Sequence, residues 1–459
     1  MEKAGKYNSK GDFSSGSVAK NVMRLAIPIT VAEIVNVLYN LVDRIYLGHI
    51  PSAGTEALTS IGVVLPLITM VSAFANLFGT GGAPLMSIAR GEKNEEKARS
   101  IVETAFSMLV LVALFLTLVL QIFARPLLLL IGADDITLPF ALSYFRVYLI
   151  GTVFVSVTLG MNPFINAQGA AKTGMGTVLI GAISNILLDP LFIFVFNMGI
   201  QGAAIATVIS QGLSALWVFR FLTGKKAAVR VSRFHIDSVE AKRILSLGVS
   251  GFMFKMTNSI TQAVCNATLH LFGGADALLY VGSMSVINSL REILSQPVSG
   301  ISEGSKPVMG YNYGAGLYSR VRKTILFMFF SALSFNVVIW AVIQLFPGFF
   351  IRLFSADEAL IETCIPCMKI YFGVFFLMTF QMAGQNTFVA LNKPKFAVFF
   401  SLFRKLILIL PLTLILPRVG FGVKGVFYAE MFSQLFGSTA CFITMMLTVY
   451  RKLPKEDSV

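Results

Sequence analysis

Asp43 and Asp189 stand inside long apolar stretches of this 459-residue chain. An ionisable group there costs several kcal/mol unless it is paired, hydrated or functional. Asn185 precedes Asp189 by four residues, which puts both side chains on one face of a helix. Pro190 follows at once and leaves the carbonyl of Ile186 without its intrahelical donor. Thr207 stands in the next apolar stretch, with the small Ala203 one turn before it. Counted from the flanking polar segments, Asp43, Asn185, Asp189 and Thr207 fall at similar depth, so they can meet. Two carboxylates, an amide, a hydroxyl and a freed carbonyl are hard oxygen ligands. Such a set suits Na⁺, or a carboxyl that carries H⁺. A purely structural reading also exists. Asp43 could pair with Arg44 or cap a helix end, and Asn185 and Thr207 could bond between helices. Residue types alone leave both readings open.

The elements that position these residues follow from composition. Apolar residues make up 56% of the chain and charged residues only 13%, against about 25% charged in a soluble domain. Residues 104–124 and 324–351 carry no charge at all. About 20 apolar residues in a helix cross the hydrocarbon layer, and runs of this length recur throughout. Twelve helical spans are expected, near 20–48, 56–88, 99–124, 137–168, 174–196, 201–222, 243–271, 277–310, 322–347, 359–391, 396–417 and 424–450. The net charge of +14 distributes unevenly between the two sides of these spans. One side collects Lys3, Lys6, Lys10 and Lys20, then Arg90 to Arg99, the 225–243 segment, Arg320 to Lys323, Lys393 and Lys395, and the C-terminal Arg451, Lys452 and Lys455. The other holds little beyond Arg125, Arg352 and Arg418. Lys and Arg accumulate on the cytoplasmic side, so both termini are expected in the cytoplasm, in a multi-pass protein of the inner (plasma) membrane. The basic residues are thereby accounted for without a nucleic-acid partner. The partner this composition implies is membrane lipid. The first residues show no cleavable signal-peptide pattern.

The chain also repeats itself. The stretch GTGGAPLMSIARGEKNEEKAR (79–99) resembles SEGSKPVMGYNYGAGLYSRVR (302–322), with Pro84 and Pro307, Gly91 and Gly314, and Arg99 and Arg322 each 223 positions apart. The same offset relates Asp134 to Asp357, Tyr148 to Tyr371, Lys172 to Lys395, Gly199 to Gly422, and Ser210-Gln211 to Ser433-Gln434. The expected fold is therefore all-α and membrane-integral, with twelve transmembrane helices in two six-helix lobes. Six spans is an even number, so both copies insert the same way up, related by a pseudo-two-fold axis along the membrane normal. The boundaries are a tail over 1–19, an N lobe over 20–222, a cytoplasmic linker over 223–242, a C lobe over 243–450 and a tail over 451–459.

Carrying the first cluster forward by 223 gives Asn266, Leu408, Leu412 and Glu430 for Asp43, Asn185, Asp189 and Thr207. The carboxylate pair is lost. Arg404 and Lys405 precede Leu408 by four and three residues and share its face. One of them is expected to pair with Glu430, placing a tethered cation where the first copy takes a free one; the alternative is that both reach out to the cytoplasmic interface. Glu33, Lys255 and Glu303 are further charges within spans that could face a central cleft; Glu33 and Lys255 could form a gating pair, and the alternative is that Lys255 marks a substrate that is not simply cationic. By helix face, Asn36, Tyr39 and Asn288 are candidates to line the same cleft. Forty-one Phe and nineteen Met supply adaptable, polarisable surface.

Enzymatic chemistry finds no support. His49, His235 and His270 fall in separate segments without metal-ligand spacing, and neither a P-loop nor a G-x-S-x-G motif is present. Cys364 and Cys367 form a C-x-x-C without the further ligands or βαβ setting that redox or metal work requires. They read as small apolar residues one turn apart, and no bound cofactor is expected.

The runs LAIPITVAEIVNVLYNLVDRIYLG (25–48), NILLDPLFIFVFNMGIQGAAIATVIS (185–210) and EGSKPVMGYNYGAG (303–316) resemble signatures of the MATE (multidrug and toxic compound extrusion) family. The resemblance extends over nearly the whole chain and is nearest to the MepA-like and DinF-related bacterial branch. It implies export of small organic, mostly cationic compounds by alternating access, driven by entering Na⁺ or H⁺; separately, a monomer is expected. It places the ion site on Asp43, Asn185, Asp189 and Thr207, with Ala203 beside it and Asn162 as a further polar member. MepA-like relatives can lack the acid in the first span, which this chain keeps as Asp43. The alternative within the same broad superfamily is a flippase of lipid-linked saccharide or lipid.

Overall fold

The computed structural model describes residues 11–50 and 54–458, so Lys3, Lys6 and Lys10 lie outside it. Among the described residues the protein is helical and without strands. α1 (Val18–Gly48), α2 (Gly54–Gly91), α3 (Glu95–Ile131), α4 (Thr137–Ile150), α5 (Thr152–Ala167), α6 (Ala171–Pro190) and α7 (Gly199–Thr223) form the first half. α8 (Ser238–Phe272), α9 (Ala277–Gly314), α10 (Tyr318–Leu345), the short α11 (Pro347–Arg352), α12 (Glu358–Tyr371), α13 (Met378–Ala390), α14 (Pro394–Leu402), α15 (Leu410–Ile415), α16 (Gly425–Ser433) and α17 (Thr439–Thr448) form the second.

Eight helical segments are long and apolar enough to cross a bilayer by themselves, and two further spans are bent pairs, α4 with α5 and α12 with α13. The remaining two are α8 and α9, of 35 and 38 residues. They have ample length, but Lys255 in α8 and Arg291, Glu292, Glu303 and Lys306 in α9 make them less apolar than the rest. That gives twelve crossing segments.

The chain forms two compact units. One comprises residues 11–15 with Ile27–Phe252; the other comprises Gly16–Ala26 and the chain from Met253 onward. Within the first, α2 packs on α3 and α5, and α6 on α7. Its core includes Leu47, Val64, Leu120, Phe145, Tyr148 and Ala203. Within the second, α9 packs on α10 and α12, and α13 on α17. Cys364 and Cys367 are fully buried in that unit's core beside Phe372 and Phe427, and all four cysteines are free thiols.

The repeat is visible as the same hydrogen bonds made twice. The α4–α5 span bends by 59° and the α12–α13 span by 46°. A bend strips carbonyls of their intrahelical donors. Gln121 Nε2 donates to the carbonyl of Arg146 at 2.8 Å and Gln344 Nε2 to that of Lys369 at 3.0 Å. Both donors and both acceptors are 223 positions apart. Ahead of these spans, Asp134 accepts the Ile136 N–H and Asp357 accepts the Ala359 N–H, again at that offset. Gly199 and Gly422 share a left-handed backbone, with φ of +54° and +56°, which glycine adopts without steric cost.

The segment between the halves is strapped to α3. Glu103, buried on α3, accepts the N–H groups of Ser232 and Arg233 and the Arg233 side chain. Ser107 and Thr104 accept those of His235 and Asp237. Asp237 then caps α8, accepting from Val239 and Glu240. Those two hydrogen bonds hold its carboxyl below the usual Asp range.

Candidate functional site

The first unit brings Asp43, Asn185, Asp189 and Thr207 together. α1 carries Asp43 one turn from its end, α6 carries Asn185 and Asp189, and α7 carries Thr207. Asn185 Nδ2 donates to Asp189 Oδ1 at 3.1 Å and reaches Thr207 Oγ1 at 3.5 Å. The side chains of Asp43 and Asp189 interact directly. Asp189 is fully buried and Asn185 is 2% exposed. Pro190 ends α6, and the chain continues as a wide π-turn over Leu191–Val195. Such turns are common at functional sites and follow from the lost hydrogen bond.

Three buried oxygens of this cluster have no hydrogen-bond partner: Asp43 Oδ1, Asn185 Oδ1 and Asp189 Oδ2. Buried acceptors without donors are rare and costly. Here all three are hard oxygen atoms from two helices, the donor chemistry of Na⁺ or of a shared proton. Among the described residues no group of three or more His, Cys, Asp and Glu forms a transition-metal site.

Three tyrosines complete the surroundings. Tyr39, one turn before Asp43 on α1, lies within electrostatic range of both carboxyls. Tyr144 interacts with Thr207 and stacks on Tyr148, ring centroids 6.3 Å apart. Tyr144 and Tyr148 were not singled out as site residues; the available signals were their four-residue spacing and the Tyr148–Tyr371 match. Ala203 is fully buried, one turn before Thr207. Asn162 stands away from these residues. Its Nδ2 donates to the carbonyl of Gly174, near the start of α6, and eleven residues separate Gly174 from Asn185, about 16 Å along a helix.

In the second unit Arg404 Nη1 lies 2.8 Å from Glu430 and Lys405 Nζ lies 3.6 Å from it. All three are buried, at 7%, 4% and 5% exposure. Consecutive residues in a regular α-helix diverge by about 100°. Here Arg404 and Lys405 belong to a π-helical segment, Phe403–Ile409, and both converge on one carboxylate. Neither extends out to the protein surface. Asn288, half-buried on α9, donates to Gln262 Oε1 at 2.9 Å. Glu303 pairs with Lys306 on its own helix at 2.6 Å. Glu33 and Asn36 are half-buried on α1 in the first unit, and Lys255 is half-buried on α8 in the second.

An all-helical chain with twelve crossing segments, built from two copies of one unit and carrying buried carboxyl groups in a span cluster, is a multi-pass membrane protein of the transporter class. The MatE family model matches it twice, over 28–191 and 253–415. The chain belongs to the MatE family. It is 24% identical over 451 residues to the "Multidrug export protein MepA" of Staphylococcus haemolyticus (strain JCSC1435), covering 95% of this chain and 94% of that one. It is 23% identical over 440 residues to the protein of the same name from Staphylococcus aureus (strain NCTC 8325 / PS 47), covering 95% of each. A solved structure described as the outward-facing conformation of a multidrug resistance MATE family transporter of the MOP superfamily shares the fold. Its TM-score is 0.89 at 22% identity, over 97% of this chain and 99% of that one.

Proposed function

We propose that the protein is a cation-coupled antiporter that exports small organic, mostly cationic compounds across the plasma membrane by alternating access, with both termini in the cytoplasm. The observation that carries this reading is the first-unit cluster. Asp43, Asn185 and Asp189 present three buried oxygens without donors, and an entering Na⁺ or H⁺ satisfies them. Asp43 and Asp189 bind the ion, Asn185 orients Asp189, and Thr207 and the Ile186 carbonyl freed by Pro190 add neutral oxygens. Entry of one cation lowers the charge of two neighbouring carboxylates by one and relieves their repulsion, so it changes which arrangement of the helices is favoured, the requirement for coupling. The relatives' names, multidrug export protein, agree with this cargo.

A second reading, a flippase of lipid-linked saccharide or lipid, draws on the basic residues of the second unit. Efflux from proteoliposomes with Na⁺ and H⁺ gradients imposed in turn separates the two. Antiport predicts that one gradient drives expulsion of an organic cation such as ethidium. Expulsion under neither gradient, together with transbilayer movement of a fluorescent anionic lipid, would favour the flippase.

A further inference from the structure

A second polar cavity lies inside the second unit, lined by Gln262, Asn288, Arg291, Tyr371, Lys405 and Glu430, and its volume is about 20 Å³. Arg404 is not part of this lining and is bonded to Glu430. The cavity occupies the repeat counterpart of the first-unit cluster: Glu430 corresponds to Thr207, Tyr371 to Tyr148 and Gln262 to Tyr39, each 223 positions on. Its charge is the opposite. Arg291, Arg404 and Lys405 gather around one buried carboxylate, Glu430, while the Glu292 carboxylate that also acts on Arg291 is exposed. An arginine does not lose its proton in a protein, and an uncompensated charge away from water is strongly disfavoured.

Glu430 is already engaged on both oxygens, by Arg404 and Lys405, with Gln434 donating to it as well. Arg291 interacts electrostatically with Tyr371 and Glu430 but forms no ion pair within the described structure. Arg291 Nε and Arg404 Nε are both buried donors without acceptors. The site therefore offers excess positive charge and unused N–H groups. Its space holds one water-sized body, too little for an organic carboxylate and its chain.

We propose that this cavity binds a monatomic anion of the halide class, with chloride the available one, held by the two cations that line it, the Arg291 guanidinium and the Lys405 ammonium. The two repeats then carry sites of opposite sign at equivalent places. This does not depend on which cation drives export, or on whether any does.

Crystals grown in sodium bromide test the proposal by anomalous scattering, alongside thermal unfolding of the purified protein in chloride, bromide, acetate or gluconate at matched ionic strength. The expected results are a bromide peak in the cavity beside Arg291 and Lys405, and a saturable rise in melting temperature of a few degrees in either halide over gluconate. Arg291→Met should remove that rise, and Arg291→Lys should retain part of it. The wild-type measurements stand alone if Arg291→Met does not fold. No bromide in the cavity would overturn the proposal. So would equal melting temperatures in halide and gluconate, or stabilisation by acetate without halide.

Discussion

Replacing Glu430 by Gln removes the one carboxylate that Arg404 and Lys405 share. Both cations are at least nine-tenths buried, and their distances to it are 2.8 and 3.6 Å. Breaking a buried pair by deleting one partner costs about 3–5 kcal/mol, because the surviving charge stays away from water. Two charges survive here, so the upper end applies. For a cooperative unit of roughly 200 residues, each kcal/mol moves the melting temperature by about 2–4 °C, so Glu430→Gln should melt at least about 10 °C below the parent protein. Tryptophan fluorescence of detergent-solubilised protein during heating reads this directly. Removing the cations with the acid should recover much of the loss: Arg404→Met with Glu430→Gln should lie closer to the parent than Glu430→Gln alone, and the cycle should give a coupling energy above about 1 kcal/mol. A Glu430→Gln protein melting within about 2 °C of the parent would refute the reasoning and show that water reaches these groups. If the cavity binds halide, Glu430→Gln should also depend more steeply on chloride, since a negative charge has left it.

Other perturbations address the rest of the fold. Ala203→Leu adds three carbons at a fully buried position one turn from Thr207; overpacking should cost about 1–3 kcal/mol and weaken cation dependence of efflux, and normal dependence would remove α7 from the site. Glu103→Gln should loosen the strap over α3, because its carboxylate accepts two backbone N–H groups and Arg233; limited trypsin digestion should then cut faster at Arg230 and Arg233, and an unchanged rate would count against the strap. Asp237 caps α8 with a carboxyl held below its ordinary value of 3.8. A lowered folded value means that the cap is fully formed above the ordinary value and is lost as pH falls through the lowered one. Hydrogen exchange at Val239 and Glu240, corrected for intrinsic pH dependence, should therefore quicken only below about pH 4, and quickening already at pH 6 would contradict this.

Much of this arrangement was legible in the residues. Crossing helices announce themselves because the bilayer demands some 20 apolar residues in each, and the expected spans match the observed helices one for one, even α8 and α9 with their internal charges, although α3 runs on past residue 124 to Ile131. The Asn185–Asp189 pair was legible because four residues make one helical turn. The bends were not. Gly151 and Gly373 are ordinary glycines in a sequence with 38 of them, and nothing in the residue types marks Gln121 and Gln344 as the donors that brace the two bent spans. The π-segment over Phe403–Ile409 was equally hidden, so Arg404 and Lys405 read as alternatives when both reach Glu430. Asn162 is the opposite case. Its amide suited an ion site, but its depth along α5 sets it beside Gly174.

In the proposed antiport, Asp43 and Asp189 couple cation entry to export. Its most direct test compares efflux from proteoliposomes bearing the parent protein, Asp43→Asn or Asp189→Asn, each at matched orientation and melting temperature, under the gradient that drives the parent. Both substitutions keep the volume of the site and remove one carboxylate, and the account predicts that either abolishes gradient-driven efflux while the protein stays folded. Gradient-driven efflux at the parent rate in both variants would contradict it.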